Sequence, residues 1–143
     1  MGIDRTLRGQ EVAGSVTKIQ LFDGKFTTGY RLKRFEISPG DIGDQEKCWA
    51  RLLTTKQAHS TAWNWSNNMQ VGWAAFNIPF NTRFGQYSLV DEEAIIVEDL
   101  FIDMSGDTGE QINYLIELEA IDFSDWKGAL AMVQNRSQGK GDA

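Results

Sequence analysis

The chain has 143 residues, 41% of them hydrophobic and 24% charged, with a net charge of −6. That is one domain's length with enough apolar content for a core, which excludes a chain disordered throughout. A single cysteine, Cys48, excludes an internal disulfide, and with the single histidine, His59, it leaves no Cys₂His₂ zinc set.

The charge is unevenly spread. Residues 1–59 hold ten Lys/Arg against seven Asp/Glu, or +3, and residues 60–143 hold four against thirteen, or −9. A net acidic chain is a poor partner for nucleic-acid phosphates, so no direct nucleic-acid binding is expected. The split suggests complementary faces, either within one fold or between packed copies. No run reaches the ~18 apolar residues of a membrane helix. "MGIDRTLRGQ" lacks the apolar core of a secretory signal, so neither membrane nor export is expected.

In chain order, residues 1–14 read as an N-terminal arm. "SVTKIQLFDGKFTTGYRLKRFEI" reads as a hairpin: Ile19 and Leu21 alternate with Lys18 and Gln20, Asp23-Gly24 supplies the turn, and a second strand runs from about Phe26 to Ile37. "SPGDIGDQ" (38–45) is a loop. "KCWARLL" (47–53) and "MQVGWAAFNI" (69–78) are strands, joined by the polar "TTKQAHSTAWNWSNN", long enough to form an exposed feature. "PFNTRFGQYS" is expected to be irregular.

Two apolar strands follow. Residues 94–104 put Ile96, Leu100, Ile102 and Met104 on one face and Ile95, Val97 and Phe101 on the other. Residues 112–121 put Ile112, Tyr114, Ile116 and Leu118 on one face, while Leu115 and Ile121 share the other with Glu117 and Glu119. The link "SGDTGEQ" is expected to close them into a hairpin. Strands apolar on both faces sit centrally in a sheet or are covered by another subunit. In "SDWKGALAMVQNRSQ", Trp126, Ala129, Leu130 and Val133 recur at helical spacing, predicting a short C-terminal helix. Residues 138–143 are expected to form a loose tail.

Three groups of residues invite chemistry. Glu98 or Asp99 facing Glu117 or Glu119 across the hairpin would resemble a glycosidase pair, but carboxylates at period two are also what a wet sheet face provides. Asp103, Asp107 and Glu110 offer hard oxygen ligands in a glycine-rich link, at a spacing that does not match an EF-hand. Turn chemistry alone accounts for them. The cluster "AWNWSNNMQVGW" sets Trp63, Trp65 and Trp73 beside Asn64, Asn67 and Asn68. Flat rings cover the C–H face of a sugar and amides bond its hydroxyls, but aromatics also plug sandwich ends and intersubunit seams.

The module at 95–135, an apolar strand "IIVEDLFIDM", a polar link, a strand "INYLIELEAIDF" and an amphipathic stretch "DWKGALAMVQNRSQ", resembles the C-terminal end of small virion proteins of marine bacteriophages. The resemblance covers about the last third of the chain. It implies a coat, penton or outer capsid protein with a β-sandwich fold, found in the virion and made in the host cytoplasm. It transfers no catalytic residues. Coat proteins that contact a genome often carry a Lys/Arg-rich arm, whereas residues 1–14 hold only Arg5 and Arg8.

The expectation is an all-β chain: an antiparallel, jelly-roll-like β-sandwich over 15–137 ending in one short helix. It is expected to act without cofactor or metal as a non-enzymatic virion subunit, partnered by copies of itself and other virion proteins. Arg31, Lys33, Arg34, Trp63 and Trp65 are the candidate inter-subunit contacts. The alternative is a carbohydrate-binding module that uses Trp63, Asn64, Trp65, Asn67 and Asn68 for receptor recognition.

Overall fold

A computed structural model describes residues 5–21, 28–41, 47–77, 85–106 and 111–122. Nine strands form: β1 (Arg5–Val12), β2 (Val16–Ile19), β3 (Thr28–Pro39), β4 (Lys47–Leu53), β5 (Gln70–Asn77), β6 (Gly85–Val90), β7 (Ile95–Ile96), β8 (Leu100–Gly106) and β9 (Gln111–Asp122). They make two antiparallel sheets, one in the order β1-β9-β3-β7 and the other β2-β8-β4-β5-β6. The sheets face each other as a β-sandwich. The predicted C-terminal helix lies outside the described residues.

Alternation builds the core. β9 buries Ile112, Ile116 and Leu118 completely, and the intervening Glu117 and Glu119 face out. The opposite sheet contributes Cys48, Ala50 and Leu52 from β4, Ala74 and Phe76 from β5, and Leu100, Ile102 and Met104 from β8. Cys48 is buried as a small hydrophobe.

β3 breaks the period and shows why. Leu32 and Phe35 are both fully buried yet three residues apart, a spacing that strict alternation would put on opposite faces. A register shift between Leu32 and Arg34 absorbs the odd residue: Leu32 pairs Leu118, Arg34 pairs Glu117, and Lys33 is the extra one. Both large side chains thereby reach the core.

Both predicted hairpins prove to be crossovers. β2 and β3 lie in different sheets, as do β8 and β9, so neither Asp23-Gly24 nor 105–111 joins paired strands. The stretch 94–104 is also two elements, since β7 belongs to the four-stranded sheet and β8 to the five-stranded one. Residues 85–88, expected to be irregular, belong to the edge strand β6, and residues 5–12 of the expected arm pair with β9. Between β1 and β2 the chain turns at Gly14, whose φ of 89° favours a residue without a Cβ. Its amide donates to Met104 O at 2.8 Å.

Candidate functional site

Two outer surfaces carry the residues singled out from the sequence. On the four-stranded sheet, the bulge at Lys33 brings Arg31 and Arg34 onto the same outward face as Glu119 and Glu117. Arg31 Nη1 lies 3.5 Å from Glu119, and Arg34 Nη1 lies 3.6 Å from Glu117. Arg34 also binds Glu36 through Nε, and Lys33 Nζ meets Glu92 at 2.7 Å. All three candidate contact cations therefore have acidic partners within the chain. The hydrogen bond from Arg34 is the main cause holding the Glu36 carboxyl below its ordinary range, with Gln86 adding a second bond at 3.0 Å.

A wide cleft of about 850 Å³ lies along this side, lined by residues including Thr6, Arg8, Gln10, Glu36, Ser38 and Asn113. Within it Asn113 Nδ2 donates to Ser38 Oγ and to Pro39 O.

The five-stranded sheet treats its outer face differently. The cross-strand registers align Asp103, Arg51, Trp73 and Leu89 in one row and Trp49, Ala75 and Tyr87 in the next. The long connection 54–69 folds back over this face. Its base closes with a bond from Thr54 N to Met69 O at 2.9 Å. Trp49 Nε1 donates to Thr61 O and an Arg51 amino group to Ala58 O.

At the centre of the covered face, Arg51 Nε donates to Asp103 Oδ2 at 2.8 Å, with side chains only 6% and 0% exposed. Asp103 Oδ1 takes the Nδ1–H of His59 at 2.5 Å, and Ser60 N donates to Oδ2 at 3.0 Å. An ionised carboxylate only accepts, so the proton of this contact is on the imidazole. One buried carboxylate thus binds a strand cation, a loop histidine and a loop amide. Asp103 cannot serve as an open calcium ligand in this arrangement, and Asp107 and Glu110 lie outside the described residues. Among the described residues no group of three or more His, Cys, Asp or Glu could hold a metal ion.

The proposed carboxylate pair is also taken apart. Glu117 and Glu119 are on the four-stranded sheet, whereas Asp99 immediately precedes β8 of the other, salt-bridged to Lys18 at 3.1 Å. A hollow of about 320 Å³ beside Asp99 is lined by Lys18, Thr54, Lys56, Glu98 and Phe101.

The aromatic cluster does come together, at the β5–β6 end of the covered face. The Trp63 ring lies 5.8 Å from Tyr87, and Trp65 stands edge-on to Trp73 at 6.1 Å and 69°. Trp73 is buried, its Nε1 donating to Gln70 Oε1, while Trp65 is 61% exposed. Asn64 Oδ1 and Asn67 Oδ1 accept from Ser66 N and Met69 N in turns of the loop itself. Those carbonyls hold the loop's shape. The sequence reading missed the Arg51–Asp103–His59 cluster; its only signal was a charged residue on an apolar strand in two segments 52 residues apart.

No protein-family model matches the chain, and neither a curated protein nor a solved structure matches it.

Proposed function

We propose that this chain is a jelly-roll subunit of a virus particle, non-enzymatic, which acts by associating with further copies of itself and with other virion proteins. The observation that carries the reading is the strand order. A jelly roll is one long antiparallel ribbon, first strand against last, rolled so that alternate pairs fall into opposite sheets. With β6 set aside as an added edge, the pairs here are β1 with β9, β2 with β8, β3 with β7 and β4 with β5. The joins β3–β9 and β4–β8 complete two four-stranded sheets in the order that rolling produces. Viral capsid and lectin domains both use this architecture. The resemblance of residues 95–135 to small virion proteins of marine bacteriophages favours the first, with the expected C-terminal helix as part of the same module.

Many weak, symmetric contacts suffice for a closed shell. The cations Arg31, Lys33 and Arg34 would have to exchange partners to meet a neighbour, so association draws first on the surface around Trp63 and Trp65. Native mass spectrometry of the full chain across concentration and salt tests this. Defined oligomers that grow with concentration are expected; a monomer under every condition overturns the reading.

The 61% exposure of Trp65 favours a second reading, a sugar-binding module centred on Trp63, Trp65 and the asparagines Asn64, Asn67 and Asn68. Saturable change of tryptophan fluorescence against a glycan panel, lost in Trp65→Ala, would establish it.

A further inference from the structure

A sheet edge is a row of unpaired backbone donors and acceptors, and monomeric proteins guard it with charge, proline, bulges or shortness. Four strands bound the two sheets among the described residues, and three are guarded. β1 carries Arg5, Arg8 and Glu11; β2 is four residues long with Lys18 inside it; β7 is two residues long. β6 is different. Its six residues, Gly85–Val90, contain no charge and no proline, and five of the six are exposed. Two of them are large and apolar: Tyr87 is 43% and Leu89 41% exposed. β6 is also the strand that the rolled ribbon does not need, since it extends one sheet beyond the eight paired strands.

We propose that β6 pairs antiparallel with β6 of a second copy across a two-fold axis, fusing two five-stranded sheets into one continuous sheet. The proposal rests on the self-associating reading above and adds an edge contact beside the Trp63 surface. Residues directly opposite in an antiparallel pair point to the same face. Tyr87 and Leu89 share the outer face, because they lie opposite Ala75 and Trp73 of β5. Placing the axis at Ser88 therefore sets Tyr87 of each copy against Leu89 of the other, and Ser88 against Ser88. Each exposed apolar side chain finds a partner, and the pattern is self-complementary as a two-fold contact requires.

Charge points the same way. Two chains of net charge −6 repel each other on balance, but β6 brings no charge to the seam.

The inner side chains of β6 are already engaged with their own chain and stay so. Ser88 Oγ donates to Phe35 O, and Gln86 Nε2 donates to Glu36. The seam uses the backbone edge and the outer face only.

Sedimentation velocity of the full chain over a concentration series, with amide hydrogen exchange at the two extremes, tests the pairing. The expected result is a dimer whose formation adds protection to the amides of 85–90. Leu89→Lys and Tyr87→Lys, both at exposed positions, should each raise the dimer dissociation constant at least tenfold with an unchanged circular dichroism spectrum. If the chain associates but the lysine variants associate equally well and 85–90 gains no protection, the edge pairing is overturned and the self-assembling reading stands. If the chain stays monomeric, both fall. Protection of 85–90 that does not depend on concentration would assign the edge to another part of the same chain, and would also overturn the pairing.

Discussion

The two outer faces of the sandwich meet the same physical problem with opposite solutions. On the four-stranded sheet, outward positions are charged and paired across strands: Arg31 with Glu119, and Arg34 with Glu117 and Glu36. Water does the remaining solvation, and exposed pairs of this kind contribute little. On the five-stranded sheet, the outward positions include Trp49, Trp73 and Leu89, and a loop of the chain's own covers most of them. Covering that face puts Arg51 and Asp103 out of water, and they are tolerable there only because the loop supplies His59, Ser60 N and Ala58 O as further partners. The coverage also stops short, leaving Trp65, Tyr87 and Leu89 exposed at one end. A solvated face is finished by its own charges; a covered face ends wherever the cover ends.

Mutations should therefore weigh very differently on the two sides. The largest expected effect is Asp103→Ala, which leaves the Arg51 guanidinium buried without its carboxylate at a cost of about 3–5 kcal/mol. A urea titration should show a large drop in midpoint; a change under 1 kcal/mol would mean that the cluster does not hold the face together. Next is His59→Ala, which removes one charged hydrogen bond at a partly exposed site, about 1–2 kcal/mol. Its more telling readout is local, faster amide exchange at Ser60 with little change in the core strands.

The pH dependence sharpens the contrast from the charged side. The Glu36 carboxyl is held low, chiefly by its hydrogen bond from Arg34. A lowered folded-state value contributes stability that is present above the ordinary glutamate range and is lost as pH falls below it through the lowered value. Glu36→Gln should flatten the acid limb of the stability profile by less than about 1 kcal/mol, after screening at a surface site. Tyr114 gives the opposite limb: burial, aided by the charge of Glu11, raises its hydroxyl. Its contribution is present below the ordinary tyrosine value and disappears as pH rises past it, so Tyr114→Phe should flatten the alkaline side. The smallest effect belongs to Lys33→Ala. The hydrogen bond between Lys33 and Glu92 raises the one and lowers the other, yet both lie at the surface. No resolvable shift in the thermal midpoint is expected, and a clear loss would mean that the charged face is held more tightly than its exposure implies.

Most of the strands, and which residues share a face wherever the two-residue period is unbroken, were legible in the sequence. Alternation in 112–121 put Ile112, Tyr114, Ile116 and Leu118 on one face, and the structure turns that face to the core, with Tyr114 only partly buried. It was silent on partners, because an inward-facing alternating strand reads the same whether the chain returns in its own sheet or crosses to the opposite one. That is why two turn-joined strand pairs read as hairpins, and why a carboxylate pair across one of them had to be given up. The fate of the 54–69 loop was equally hidden. Its polarity suggested an exposed feature, and only the fold brings Asp103 of β8 under His59 and Ser60 and beside Arg51 of β4. Side-chain facing is set by the two-residue period of a strand and can be read locally; pairing and covering join residues far apart in the chain, and only the tertiary structure decides them.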